Sequence, residues 1–146
     1  VSLRPPAAAE HGALAQLARF AVVGGLGTVT NLVLFYLLVD SPRFAVLAPL
    51  AGATVCFAVA VTENYVLNEL WTFRGRVGGP SGLSLARYAK FVAASLLGFA
   101  VNAVVLVGLL AVHDFAYASI PQAIGIASGT LLNFAASRQL VFRRRG

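Results

Sequence analysis

The sequence predicts an all-α integral membrane protein, with four transmembrane helices arranged as two helical hairpins of the same polarity and both termini on the cytoplasmic side. Three observations carry that reading. The 146 residues are 59% hydrophobic and 11% charged, with mean hydropathy +0.83, whereas roughly 25% of a soluble domain is charged. Four stretches, residues 20–39, 44–62, 91–112 and 115–137, contain no Asp, Glu, Lys or Arg, and each reaches the roughly 20 residues a helix needs to cross a bilayer. Ten of the eleven basic residues lie on one side of these stretches. A water-soluble enzyme is excluded. So is a secretory leader, because four spans recur and none ends in a small-residue cleavage site.

Taken in order, residues 1–16, with Pro5, Pro6 and an alanine run, read as a flexible lead-in without an assigned function. Span one follows Arg19, and a short outer connection around Asp40 and Arg43 leads to span two. Pro49 and Pro121 fall near the outer starts of spans two and four, where a helix has no amide bond to lose. The loop 75–87 holds Gly75, Gly78, Gly79, Pro80 and Gly82 and reads as flexible. Arg4 and Arg19 precede span one, Arg74, Arg76, Arg87 and Lys90 lie between spans two and three, and Arg138, Arg143, Arg144 and Arg145 close the chain. Arg43 alone is on the other face, so the positive-inside rule places both termini and the middle loop in the cytoplasm. The net charge of +6 thus reads as topology and as contact with anionic lipid heads. No nucleic acid is expected as a partner, for the charges lie on three juxtamembrane segments without a recognition fold. Cys56 stands alone and permits neither an intrachain disulfide nor a cysteine metal cluster.

The second half repeats the first. Arg19-Phe20 followed by Asn31 matches Lys90-Phe91 followed by Asn102, and Asn64-Tyr65 before Trp71-Thr72-Phe73-Arg74 matches Asn133-Phe134 before Leu140-Val141-Phe142-Arg143. Repeat one covers about 17–74 and repeat two about 88–143, within a membrane domain of 17–146. Two hairpins that enter the bilayer with the same polarity form a parallel repeat, related by an axis along the membrane normal.

The repeat also pairs the polar residues inside the spans. Asn31 and Asn102 each lie about 18 Å along the helix from the preceding cation, and Asn64 and Asn133 about 15 Å from the following one, at 1.5 Å per residue. An unpaired amide in hydrocarbon is costly. The four therefore either glue helices together or line a common polar path, with Thr28 on the Asn31 face. Glu63 ends nineteen uncharged residues and is opposite Leu132 in the repeat. It reads as a functional carboxylate, or as a structural ion-pair or vestibule position. Glu69 aligns with Arg138, and an ion pair between them is expected near the inner surface.

Enzyme chemistry is not expected. The five acids, Glu10, Asp40, Glu63, Glu69 and Asp114, form no metal-binding pair. His11 and His113 are remote from any nucleophile, and Gly24-Gly25-Leu26-Gly27 lacks the Lys-Ser/Thr of a phosphate loop. No cofactor and no metal are expected.

Over about residues 17–143 the chain resembles the GtrA-like family of small four-span bacterial membrane proteins tied to cell-surface polysaccharide synthesis. The resemblance rests on Arg19-Phe20, Gly24, Thr28 and Asn31, on the run from Asn64 to Phe73, on Lys90-Phe91 and Asn102, and on the run from Asn133 to Phe142. It departs where Glu69 replaces a usual Arg and Leu140 a common aromatic. The resemblance implies a flippase of the bacterial cytoplasmic membrane that moves a polyprenyl-phosphate-linked monosaccharide to the outer leaflet for cell-wall or surface polysaccharide. Asn31, Asn64, Asn102, Asn133, Glu63, Thr28 and Trp71 would contact the sugar, and Arg138, Arg19 and Lys90 the phosphate. Two alternatives stand beside it: a non-transporting anchor that recruits a glycosyltransferase, and a small-molecule exporter. Four short helices enclose little volume, so a homo-oligomer, in the form of a parallel dimer, is expected.

Overall fold

Long runs of Ala, Leu and Val without an interior proline form helices, and in the computed structural model they do so throughout. The structure describes the backbone of residues 6–72 and 82–142 and the side chains of 15–72 and 82–132. Its helices are α1 (Pro6–Phe35), α2 (Pro49–Leu67), α3 (Leu85–Val112) and α4 (Ser119–Phe142). Helix α1 takes in residues 6–16, which the sequence assigns to a lead-in. Two π-helical turns, Tyr36–Asp40 and Asn68–Thr72, continue α1 and α2. Among the described residues, three helical stretches, Ala15–Asp40, Pro49–Thr72 and Leu85–Val112, are long and apolar enough to cross a membrane.

Successive helices are antiparallel neighbours. Helix α3 packs most extensively on α4, α1 on α2 and α2 on α3, and α4 closes the ring against α1. The α1–α2 connection is tight: the amides of Val46 and Leu47 both donate to the Leu38 carbonyl, at 2.9 and 3.0 Å, and Pro49 stands in the first turn of α2. At the far end, the Tyr65 hydroxyl donates to the Ser84 carbonyl at 2.8 Å and accepts from its amide at 2.9 Å, which holds the start of α3 beside α2. Residues 41–48 and 113–118 lie together at one end of the bundle. The opposite end, with Arg19, Arg87 and Lys90, is the basic end.

The burial pattern is inverted relative to a soluble bundle. Large apolar side chains point outward, with Val104 73%, Leu131 68% and Val29 60% exposed. The interior instead holds Asn31, Ser41, Asn68, Thr72, Asn102 and Gln122 beside a small apolar cluster of Phe35, Ala53, Cys56 and Leu106. An apolar exterior around a part-polar interior is stable where the solvent is hydrocarbon.

Candidate functional site

The interior polar residues fall into two groups. The first is centred on Gln122, which is fully buried one turn into α4. Asp40, at the end of the π turn that follows α1, sets this helix in place. Its two carboxylate oxygens accept from the amides of Ala118 (2.8 Å) and Ser119 (2.7 Å), so an anion caps the positive end of α4. From there the Gln122 amide nitrogen donates to Asn31 Oδ1 at 3.0 Å, and its oxygen accepts from Asn102 Nδ2 at 3.3 Å. One glutamine thus links the two asparagines that the repeat pairs, joining α1, α4 and α3. Asn102 Oδ1 is buried without a partner among the described residues and lies against Gly125, where a methyl group would overlap it.

The second group is a stripe on α2 and the π turn that continues it, called the α2 stripe. Asn64, Asn68 and Thr72 are spaced four residues apart and share a face. Asn64 Oδ1, Asn68 Oδ1 and Thr72 Oγ1 are all buried without a partner among the described residues. Each such orphaned acceptor costs about 1–3 kcal/mol. The stripe faces α1: the Asn64 amide rests on Gly27, which has no room for a Cβ, and Gly52 meets Phe35 and Val39 further along the same seam. At the basic end, the Arg19 guanidinium lies over the Trp71 ring, 5.9 Å from its centroid.

The expected polar residues are therefore not one constellation. Asn31 and Asn102 are brought together, through Gln122. Asn64 lies one turn of α1 nearer the basic end, opposite Gly27. The side chains of Asn133 and Arg138 lie outside the described residues. The Thr28 hydroxyl donates to the Gly24 carbonyl of its own helix at 3.0 Å. Glu63 is half-buried and makes no ion pair among the described residues. Arg19 and Lys90 are exposed at the basic end.

The expected Glu69–Arg138 pair falls on a side chain outside the described residues; among those described, Glu69 pairs with Arg87. Arg87 takes both carboxylate oxygens of Glu69, through Nε at 3.2 Å and Nη2 at 3.0 Å, and it also donates to the Gly82 carbonyl. The Tyr65–Ser84 contacts hold the first turn of α3 beside the end of α2, which brings Arg87 within reach. Among the described residues no three His, Cys, Asp or Glu side chains converge to hold a metal.

Sequence reasoning missed Gln122, Asn68 and Thr72. A search for uncharged runs treats glutamine as neutral, and Gln122 aligns with Ala53 in the other repeat, so symmetry does not mark it. The four-residue spacing from Asn64 was the available signal for the stripe.

No curated protein and no solved structure matches the chain. A family model, GtrA/DPMS, transmembrane domain, matches residues 19–142, a stretch that takes in the Gln122 relay, the α2 stripe and the Arg19–Trp71 contact. The chain is a member of the GtrA/DPMS transmembrane domain family.

Proposed function

We propose that this chain is a flippase that moves a polyprenyl-phosphate-linked monosaccharide across the bacterial cytoplasmic membrane for cell-wall or surface polysaccharide synthesis. Family membership connects it with polyprenyl-phosphate sugar translocation and glycosylation. The observation that carries the finer reading is the chain of buried amides Asn31–Gln122–Asn102 at the centre of a bundle whose outside is apolar. Amides offer donors and acceptors together, so sugar hydroxyls can replace these bonds during passage without being left unpaired in hydrocarbon.

In this reading α4 is the fourth span and both termini are cytoplasmic. Arg19, Lys90 and Arg138 hold the phosphate at the cytoplasmic surface, while Asn31, Asn64, Asn102, Asn133, Glu63, Thr28 and Trp71 line or flank the sugar's path. The isoprenoid tail stays in the bilayer, the protein performs no covalent chemistry, and two copies associate in parallel. The alternative of an anchor for a glycosyltransferase needs no polar interior, which is why the buried amides favour translocation.

The test is sidedness of polyprenyl-phosphate glucose, mannose and arabinose in liposomes containing only this protein, read with an impermeant oxidant. Faster exposure than in empty liposomes, lost in Asn102→Leu, is the expected result. No acceleration with any of the three sugars would overturn the flippase reading in favour of the anchor, to be followed by capture of a glycosyltransferase.

A further inference from the structure

The two polar groups differ in one respect: the Gln122 relay is largely hydrogen-bonded, while all three members of the α2 stripe present a buried oxygen without a partner among the described residues. Asn68 is 3% and Thr72 4% exposed. The α1–α2 seam has a steady antiparallel register, fixed by Gly27 against Asn64, Gly52 against Phe35 and Val39, and Arg19 over Trp71. That register sets Val23 opposite Asn68 and Arg19 opposite Thr72. Across the seam the residues of α1 directly opposite Asn64 and Asn68 are therefore Gly27 and Val23, neither of which has a side-chain donor. Their amides belong to the helical ladder. At the mouth of the seam stands the Arg19 guanidinium, over Trp71.

We infer that Asn68 and Thr72, with Asn64 above them, are the seat that receives the sugar's hydroxyls when the seam between α1 and α2 parts at the basic end. The inference rests on the proposed substrate class and adds where the sugar is recognised. With three acceptors unsatisfied, the closed seam gains little from polar contact, so parting it gives up few hydrogen bonds. A ring bearing several hydroxyl donors supplies what α1 does not, and its phosphate then lies toward Arg19, beside Trp71. Bare polyprenyl phosphate meets Arg19 equally well but satisfies none of the three oxygens. The stripe is thus a device for sugar-bearing lipid over bare lipid. The Gln122 relay, further along the bundle, remains bonded at this stage.

The test is binding of polyprenyl-phosphate glucose, mannose and arabinose, and of polyprenyl phosphate alone, to the full chain in nanodiscs. The unaltered chain is expected to prefer at least one sugar-bearing lipid by about tenfold or more, the factor that one or two hydrogen bonds supply. Asn68→Leu and Thr72→Val should bring that lipid down to the affinity of the bare one without weakening the bare one, and Thr72→Ser should keep the preference. Asn68→Leu should also melt no lower than the unaltered chain, because it replaces an unpaired buried amide with an apolar group of similar size. A preference that survives in both variants, or is absent from the unaltered chain, would overturn the seat. So would a lowered melting temperature in Asn68→Leu, which would show that the amide is bonded within the fold. Intact preference with no sugar exposure in liposomes would sink the flippase reading and leave the seat standing.

Discussion

Gln122 shows how much one side chain can hold in a membrane interior. It is the shared partner of Asn31 and Asn102, so its removal orphans one group on each. Single interhelical side-chain bonds in membranes average only about 0.6 kcal/mol, but stranding a buried partner adds desolvation that the bond itself does not measure. Gln122→Leu should therefore lower stability by about 1–3 kcal/mol, read by thermal melting in detergent. Asn31→Leu added to Gln122→Leu should cost clearly less than the two separate effects summed, since neither can lose the same bond twice. Strict additivity would mean that the relay is not formed. Sequence reasoning could name Asn31 and Asn102 because the repeat marks both and because an intramembrane amide demands a partner. It could not name the partner. Gln122 is neither charged nor duplicated, and which helix supplies the third amide is settled by packing between α4 and α1.

Elements are set by their ends and by their glycines. Asp40 closes the first hairpin's outer end and caps α4, so one carboxylate joins the two halves across 78 positions of sequence. Asp40→Ala should destabilise by about 0.5–2 kcal/mol, with faster amide exchange at Ala118 and Ser119 as the local sign. Unchanged exchange there would contradict the cap. The α3–α4 pair depends instead on close approach: Gly125 and Gly129 form a small-xxx-small face, and a methyl at Gly129 would run into the Gly98 carbonyl. Backbone cannot yield as a flexible side chain does, so Gly129→Ala should cost about 1–3 kcal/mol, the range for overpacking. Gly24→Ala, where nothing stands within 4 Å, should be neutral or mildly stabilising. Equal effects at the two sites would rule out close packing as the reason for Gly129. Helix identity and rough limits were legible from uncharged runs and from Pro49. The cap was not, because Asp40 reads as a loop residue until the chain is folded. The Arg87 partner of Glu69 was missed for a related reason: alignment of repeats pointed to Arg138, while the Tyr65–Ser84 contacts bring Arg87 to Glu69.

At the scale of the whole molecule, charge and burial act on different axes. Burial distinguishes inside from outside of the bundle, with amides within and Val29, Val104 and Leu131 outward, and this fits a hydrocarbon surround whichever way the chain is inserted. Orientation depends on the ends alone. Arg19, Arg87 and Lys90 gather at one end of the described structure, and Arg43 with Asp40 and Asp114 at the other, a bias from which the positive-inside rule predicts cytoplasmic termini. Cys56 is fully buried, which leaves introduced thiols as the reporters. In spheroplasts, an impermeant maleimide should label Ala45→Cys and Ala116→Cys but not Leu83→Cys, and permeabilisation should make Leu83→Cys reactive. The three sites are exposed in the fold, so accessibility reports sidedness. The inverse pattern would invert the orientation and place the α2 stripe's mouth outside the cell, where it would meet no newly made sugar lipid. Labelling at position 45 without position 116 would deny α3 its crossing, and with it the second hairpin that Gln122 joins to the first.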